Sequence, residues 1–135
     1  MAIDNLYEVV GVTELLLVAV GGGIGSITRY SASNWAAARW GSAFPYGTLL
    51  VNAVGCLIIG AFMTMITERF IINPYWRLLV TVGFLGGLTT FSSFSYETLK
   101  LISDGNVYYA LYNIAANSLI GLLATWLGIS LARLV

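Results

Sequence analysis

Four stretches of this chain are each apolar over about the 20 residues needed to cross a ~30 Å hydrocarbon core, and only short polar turns separate them. No other feature limits the possible folds so tightly. In lipid every backbone polar group must be bonded within the structure, so helices of this length are the natural solution. The expected spans are residues 15–38, 45–67, 75–102 and 107–134. Arg39-Trp40-Gly41-Ser42 follows the first. Pro45, with its fixed φ, suits the first turn of the second, which Glu68-Arg69 closes. Asn73-Pro74 reads as the turn into the third and Ser103-Asp104-Gly105-Asn106 as the turn into the fourth.

The predicted fold class is therefore an all-α integral membrane protein with one membrane domain, residues 15–135. Residues 1–14 form an extension too short and too acidic to span, expected as a short surface helix. That extension carries Asp4, Glu8 and Glu14 and no Lys or Arg, the reverse of a secretory n-region, so the spans are expected in the mature protein.

Composition supports the lipid bilayer as solvent: 59% of the residues are apolar and 9% charged, against roughly 45–50% and roughly 25% in soluble domains. Net charge is zero with no basic block, which argues against nucleic acid. There is no His, the commonest proton shuttle. The single Cys56 excludes a disulfide framework, and no basic neighbour in sequence would activate its thiol. No nucleotide motif, carboxylate pair or metal-ligand cluster appears, so neither ATP use nor catalysis is expected.

Trp35, Trp40, Phe44, Tyr46, Tyr75, Trp76, Tyr108 and Tyr109 fall near predicted span ends, as an interfacial aromatic belt would. Gly21/Gly25 and Gly83/Gly87 have the spacing that lets helices approach closely in lipid. Orientation is weakly specified. Arg69, Arg77 and Arg133 fall on one side and Arg39 and Lys100 on the other. Such a chain can insert both ways and pair antiparallel with its own copy. A homodimer would also shield intramembrane polar groups that four thin helices cannot cover alone.

Within the third stretch lies Gly86-Gly87-Leu88-Thr89-Thr90-Phe91-Ser92-Ser93-Phe94-Ser95. Facing lipid, such a polar run would cost several kcal/mol per unpaired group. It therefore reads as a working site, with the helix interrupted near residues 86–89. Carbonyls freed by an interruption suit a hard monovalent cation such as Na⁺, or the glycines simply pack against a neighbour. Phe91 and Phe94 share a helix face beside Ser92 and Ser93, and the positive edge of an aromatic ring can favour a small anion. Asn52 is either interhelical glue or a neutral donor to an anion. Arg29 either attracts an anion or locks carbonyls, and Glu97 either lines a vestibule or snorkels. Asn117 and Ser118 add polar groups on the fourth span.

These residues resemble the Fluc (CrcB-type) bacterial fluoride channels, over nearly the whole chain from about Leu16. The matching pieces are Gly21-Gly22-Gly23-Ile24-Gly25 with Arg29, Gly47-Thr48-Leu49 through Asn52, and the 86–95 run with Glu97. The resemblance implies antiparallel, dual-topology homodimers with two fluoride pores, in the bacterial plasma (inner) membrane. It implies a structural Na⁺ at the dimer centre, held by carbonyls of Gly86 and Thr89 where the third helix breaks at the midplane. It assigns Asn52, Phe91, Phe94, Ser92, Ser93 and Ser118 to the fluoride pore. Leu122 stands where a further hydroxyl is usual, and Tyr112 matches the family's aromatic hydroxyl loosely. The implied function is passive F⁻ export that lowers cytoplasmic toxicity. The alternative is a dual-topology, proton-coupled small-molecule exporter, which needs an embedded carboxylate and leaves the Gly-Gly run unexplained.

Overall fold

The computed structural model describes residues 11–135. The surface helix expected ahead of Glu14 falls mainly on residues 1–10, outside those described.

Helix α1 (Val12–Trp40) starts three residues before the expected span. Its first turn carries Glu14, where a carboxylate suits the positive helix end. It stops at Gly41, whose φ of 85° favours glycine and whose N–H closes on Ala37 C=O at 2.9 Å. Helix α2 (Tyr46–Glu68) has Pro45 at its cap, one position outside the first turn where the sequence placed it. Arg69 and Phe70 N–H both end on Met65 C=O and finish the helix.

The third span is composite. Asn73 Oδ1 accepts from Tyr75 N–H at 2.9 Å and caps α3 (Pro74–Arg77), with Pro74 in the first turn. A π-helical stretch, π1 (Leu78–Leu85), follows, then the single turn α4 (Gly86–Leu88). Thr89 and Thr90 are extended, at φ −81°, ψ 154° and φ −152°, ψ 120°. Helix α5 (Phe91–Ser103) resumes beyond them. After a turn through Gly105 (φ 79°), α6 (Val107–Leu134) completes the chain. Four helical stretches, Val12–Trp40, Tyr46–Glu68, Pro74–Ser103 and Val107–Leu134, are long and apolar enough to cross a membrane.

The sequence placed the interruption near residues 86–89; Gly86 and Gly87 are helical, and the extended pair is Thr89–Thr90, at the C-terminal edge of that range. Thr89 still closes its N–H on Leu85 C=O at 3.0 Å and adds its hydroxyl to the same carbonyl at 2.9 Å. Thr90 then caps α5, its Oγ1 accepting Ser93 N–H at 3.2 Å. The glycines serve contact instead. A Cβ on Gly87 would stand 3.1 Å from the Gly22 carbonyl carbon. On Gly21 it would lie 2.9 Å from Phe84 N, and on Gly25 2.9 Å from Leu88 N. Helix α1 therefore packs backbone to backbone against π1 and α4. Helices α2 and α6 share the most extensive interface, where a Cβ on Gly128 would meet Ala61 N at 2.8 Å.

Little is left for a core. Val51, Leu85 and Leu88 form its centre, with Ala32, Ile58, Ile59, Val80 and Phe84 against them. Large apolar side chains such as Ile27, Leu119 and Leu122 point outward, as lipid or a partner helix allows. At one end of the bundle Trp35, Trp40, Tyr46, Phe44, Tyr109 and Tyr112 form a run of ring contacts, centroids 4.9 to 6.1 Å apart. At the other, Arg133 forks onto the exposed Glu68 carboxylate at 2.8 and 3.2 Å, and Arg69 donates to Arg133 C=O at 2.8 Å.

Candidate functional site

A groove of about 470 Å³ lies where α2, the end of π1, the Thr89–Thr90 step, α5 and α6 meet. Its lining includes six of the sequence-predicted residues: Asn52, Gly86, Thr89, Phe91, Phe94 and Ser118. Three different spans deliver them to one place. Gly55 makes room for Thr89, since a Cβ there would run into the Thr89 methyl.

The groove is built on Asn52. Its Oδ1 accepts Thr90 N–H at 2.8 Å, and its Nδ2 donates to Thr90 C=O at 3.2 Å and to Asn117 Oδ1 at 3.0 Å. Both amide hydrogens are therefore committed. A direct bond from Asn52 to an anion requires giving up one of these contacts.

The Thr89–Thr90 step has an electrostatic result. In a continuous helix, Gly86 C=O would accept from Thr90 N–H, and Thr89 C=O from Ser93 N–H. The first donor is taken by Asn52 Oδ1 and the second by Thr90 Oγ1. Side chains have removed the i+4 partners of the two carbonyls that the family resemblance assigns to a cation. Neutral carbonyl oxygens suit a hard monovalent ion. Among the described residues no group of three or more Asp, Glu, His or Cys could hold a metal.

Phe91 is 78% exposed at the groove, and its ring centroid stands 5.4 Å from that of Phe94 with the planes tilted by 51°. Ser92 and Ser93 lie outside the groove lining. Their hydroxyls approach Thr90 Oγ1 at 3.2 and 3.1 Å, so in this chain they support the cap of α5.

Glu97 belongs to a second cleft, of about 350 Å³, between the α1–α2 connection and α5. Thr48 Oγ1 donates to its Oε1 at 2.8 Å, and Oε2 is buried without a partner among the described residues. Lys100 and Asp104 share this cleft. Arg29 is half-buried on α1, with no hydrogen-bond or ion-pair partner among the described residues. Tyr112 is in neither cleft, and its ring lies 5.2 Å from that of Phe44.

Sequence reasoning missed Asn113 and Thr98, which are both buried. Asn113 Nδ2 donates to Thr98 Oγ1 at 2.9 Å, and Asn113 Oδ1 accepts from Asn117 Nδ2 at 2.9 Å. The available signal was the i, i+4 spacing of Asn113 and Asn117, which puts both amides on one helix face.

Residues 16–129 match the family described as CrcB-like protein, Camphor Resistance (CrcB). The chain is 48% identical over 120 residues to the fluoride-specific ion channel FluC of Solibacter usitatus, which covers 89% of this chain and 98% of the relative. It is 47% identical over 122 residues to a protein of the same description from Sulfurihydrogenibium sp., covering 90% and 98%. A third such relative, from Geotalea daltonii, is 42% identical over 121 residues, covering 90% and 98%.

Proposed function

The chain belongs to the CrcB-like protein family, and from that premise we propose that it is a fluoride-specific ion channel that lets F⁻ leave the cytoplasm down its electrochemical gradient. The observation that carries the reading is the single groove into which Asn52, Phe91, Phe94 and Ser118 converge, in a chain whose relatives are described as fluoride channels. It is a multi-pass membrane protein and not an enzyme.

Fluoride is small and strongly hydrated, so dehydration is the main barrier to its passage. The groove offers weak, neutral replacements for water: the rings of Phe91 and Phe94, whose edges carry partial positive charge, and the hydroxyl of Ser118. Several weak sites let an ion enter without trapping it, whereas a fixed buried cation in the path would hold it. Asn52 forms the wall of the path and ties Thr90 to α6 through Asn117.

The finer architecture we propose is an antiparallel, dual-topology homodimer in the bacterial inner membrane, with the third helix broken at the midplane. Three features support it. The groove is not enclosed by the single chain. Arg29 has no partner among the described residues of its own chain. The Lys and Arg residues at the span ends select neither orientation clearly. A second copy across the groove would bring two sets of Gly86 and Thr89 carbonyls together. A structural Na⁺ at that centre would supply the positive charge those oxygens lack, and these residues would hold it.

Efflux from liposomes, followed with a fluoride electrode, tests the function. Electrogenic F⁻ release with Cl⁻ excluded is expected. No F⁻ flux from monodisperse protein overturns it. Disulfide or amine cross-linking in inverted and upright orientations, read by mass, tests the antiparallel dimer separately.

A further inference from the structure

Asn113 has no exposed surface, and its side chain is the middle of a hydrogen-bond run that begins and ends on the third span. Thr98 Oγ1 donates to Phe94 C=O at 2.7 Å, which uses the only proton of that hydroxyl. The oxygen can then only accept, and it accepts from Asn113 Nδ2 at 2.9 Å. That turns Asn113 Oδ1 toward Asn117 Nδ2, at 2.9 Å. Asn117 in turn presents Oδ1 to Asn52 Nδ2 at 3.0 Å, and Asn52 presents Oδ1 to Thr90 N–H at 2.8 Å. Every donor in this run points the same way. Its ends are a backbone carbonyl and a backbone N–H, neither of which can reverse its polarity. Aligned bonds of this kind strengthen one another, and a half-satisfied network is worse than none.

We infer that Asn113 is a positioning residue for the anion path, fixing the amide orientation of Asn52 and, through the anchors at Thr90 and Thr98, the placement of Phe91 and Phe94 between them. Asn113 does not line the groove. It acts through Asn117 on one side and Thr98 on the other. The inference rests on the channel reading above. A side chain that only glued α5 to α6 would lower stability without changing which anion passes. A side chain that orients Asn52 changes discrimination as well, because an amide released from Asn117 presents different atoms to the groove.

The test uses the full chain in liposomes, with F⁻ efflux and the F⁻/Cl⁻ ratio both measured. Asn113→Leu is expected to slow F⁻ efflux by about tenfold or more and to lower the ratio, with the elution volume unchanged. Thr98→Val, which keeps the shape and removes the acceptor, should do the same, and Thr98→Ser should restore wild-type behaviour. Because both lesions break one run, the double variant should be no slower than the slower single. Efflux and selectivity of Asn113→Leu within about twofold of wild type would overturn the inference, as would effects that multiply in the double variant. If Asn113→Leu does not assemble, the Val and Ser variants of Thr98 decide the matter by the same criteria. Wild-type protein that passes no F⁻ removes the channel reading itself. Wild-type flux with indifferent variants removes only the role of Asn113.

Discussion

Asn52 satisfies both backbone groups of Thr90, taking its N–H at 2.8 Å and giving an amide proton to its C=O at 3.2 Å. One side chain on α2 thus stands in for the helical bonds that the third span forgoes at that residue. The same amide joins α6 through Asn117, so three spans depend on it.

Replacing Asn52 with Ala should therefore do more than empty a space. It leaves Thr90 N–H, Thr90 C=O and Asn117 Oδ1 without their partner, at about 1–3 kcal/mol for each buried group that water cannot reach. We expect a clear drop in melting temperature in detergent and loss of F⁻ efflux. Asn52→Asp should fare no better, since an ionised carboxylate cannot donate to Thr90 C=O or Asn117 Oδ1.

Phe91 and Phe94 separate function from stability. Phe91 is mostly exposed in the single chain, so Phe91→Ile removes the ring edge at small cost to the protomer's own core. We expect Phe91→Ile and Phe94→Ile each to slow F⁻ efflux by about tenfold or more, with oligomeric state by light scattering unchanged. Unaltered flux in both would show that the rings do not face the ion.

The glycine seam gives a paired control. Gly25→Ala puts a methyl group against the backbone of Phe84 and Leu88, where nothing flexible can yield. Overpacking of that kind costs about 1–3 kcal/mol. Gly23, two residues earlier, has open space where its Cβ would be. Gly23→Ala should be neutral or stabilise the helix by about 1 kcal/mol. Thermal melts of the two proteins, run side by side, check the contrast.

If Na⁺ binds at the carbonyls of Gly86 and Thr89, it should stabilise the assembled protein by mass action. The gain is about 2.7 kcal/mol when the ion is at a hundred times its Kd. Exchanging Na⁺ for N-methylglucamine during purification should lower the melting temperature and the efflux rate, and returning Na⁺ should recover both. A melting temperature indifferent to Na⁺ would remove the ion from the site.

The helical stretches were legible because span length and hydropathy are properties of long segments, which local packing cannot overrule. Their ends moved by a few residues. Pro45 and Asn73 show why: the cap is set by one side chain and one turn. The composite third span was only half legible. The polar, glycine-containing run marked an irregularity, but the π-helical stretch of π1 left no mark in its sequence, Leu78-Leu79-Val80-Thr81-Val82-Gly83-Phe84-Leu85. Within the expected range 86–89 the interruption falls at its far edge, Thr89–Thr90, because contacts with α1 and α2, which local composition does not encode, keep Gly86 and Gly87 helical. The groove residues were legible through the family resemblance and the i, i+3 phase of the two Phe residues. Asn113 was marked only by its i, i+4 spacing from Asn117, which puts both amides on one helix face but does not show that Asn113 is buried or that Thr98 is its partner.

The third span divides its loyalties between neighbours. Residues 78–88 lie mainly along α1, whereas α5 packs chiefly on α6. The two threonines join pieces that answer to different partners. A genetic screen should register this as two separate suppressor maps. Lesions in residues 78–88 should be rescued by compensating changes in α1, and lesions in 91–103 by changes in α6, with little crossover between the two sets.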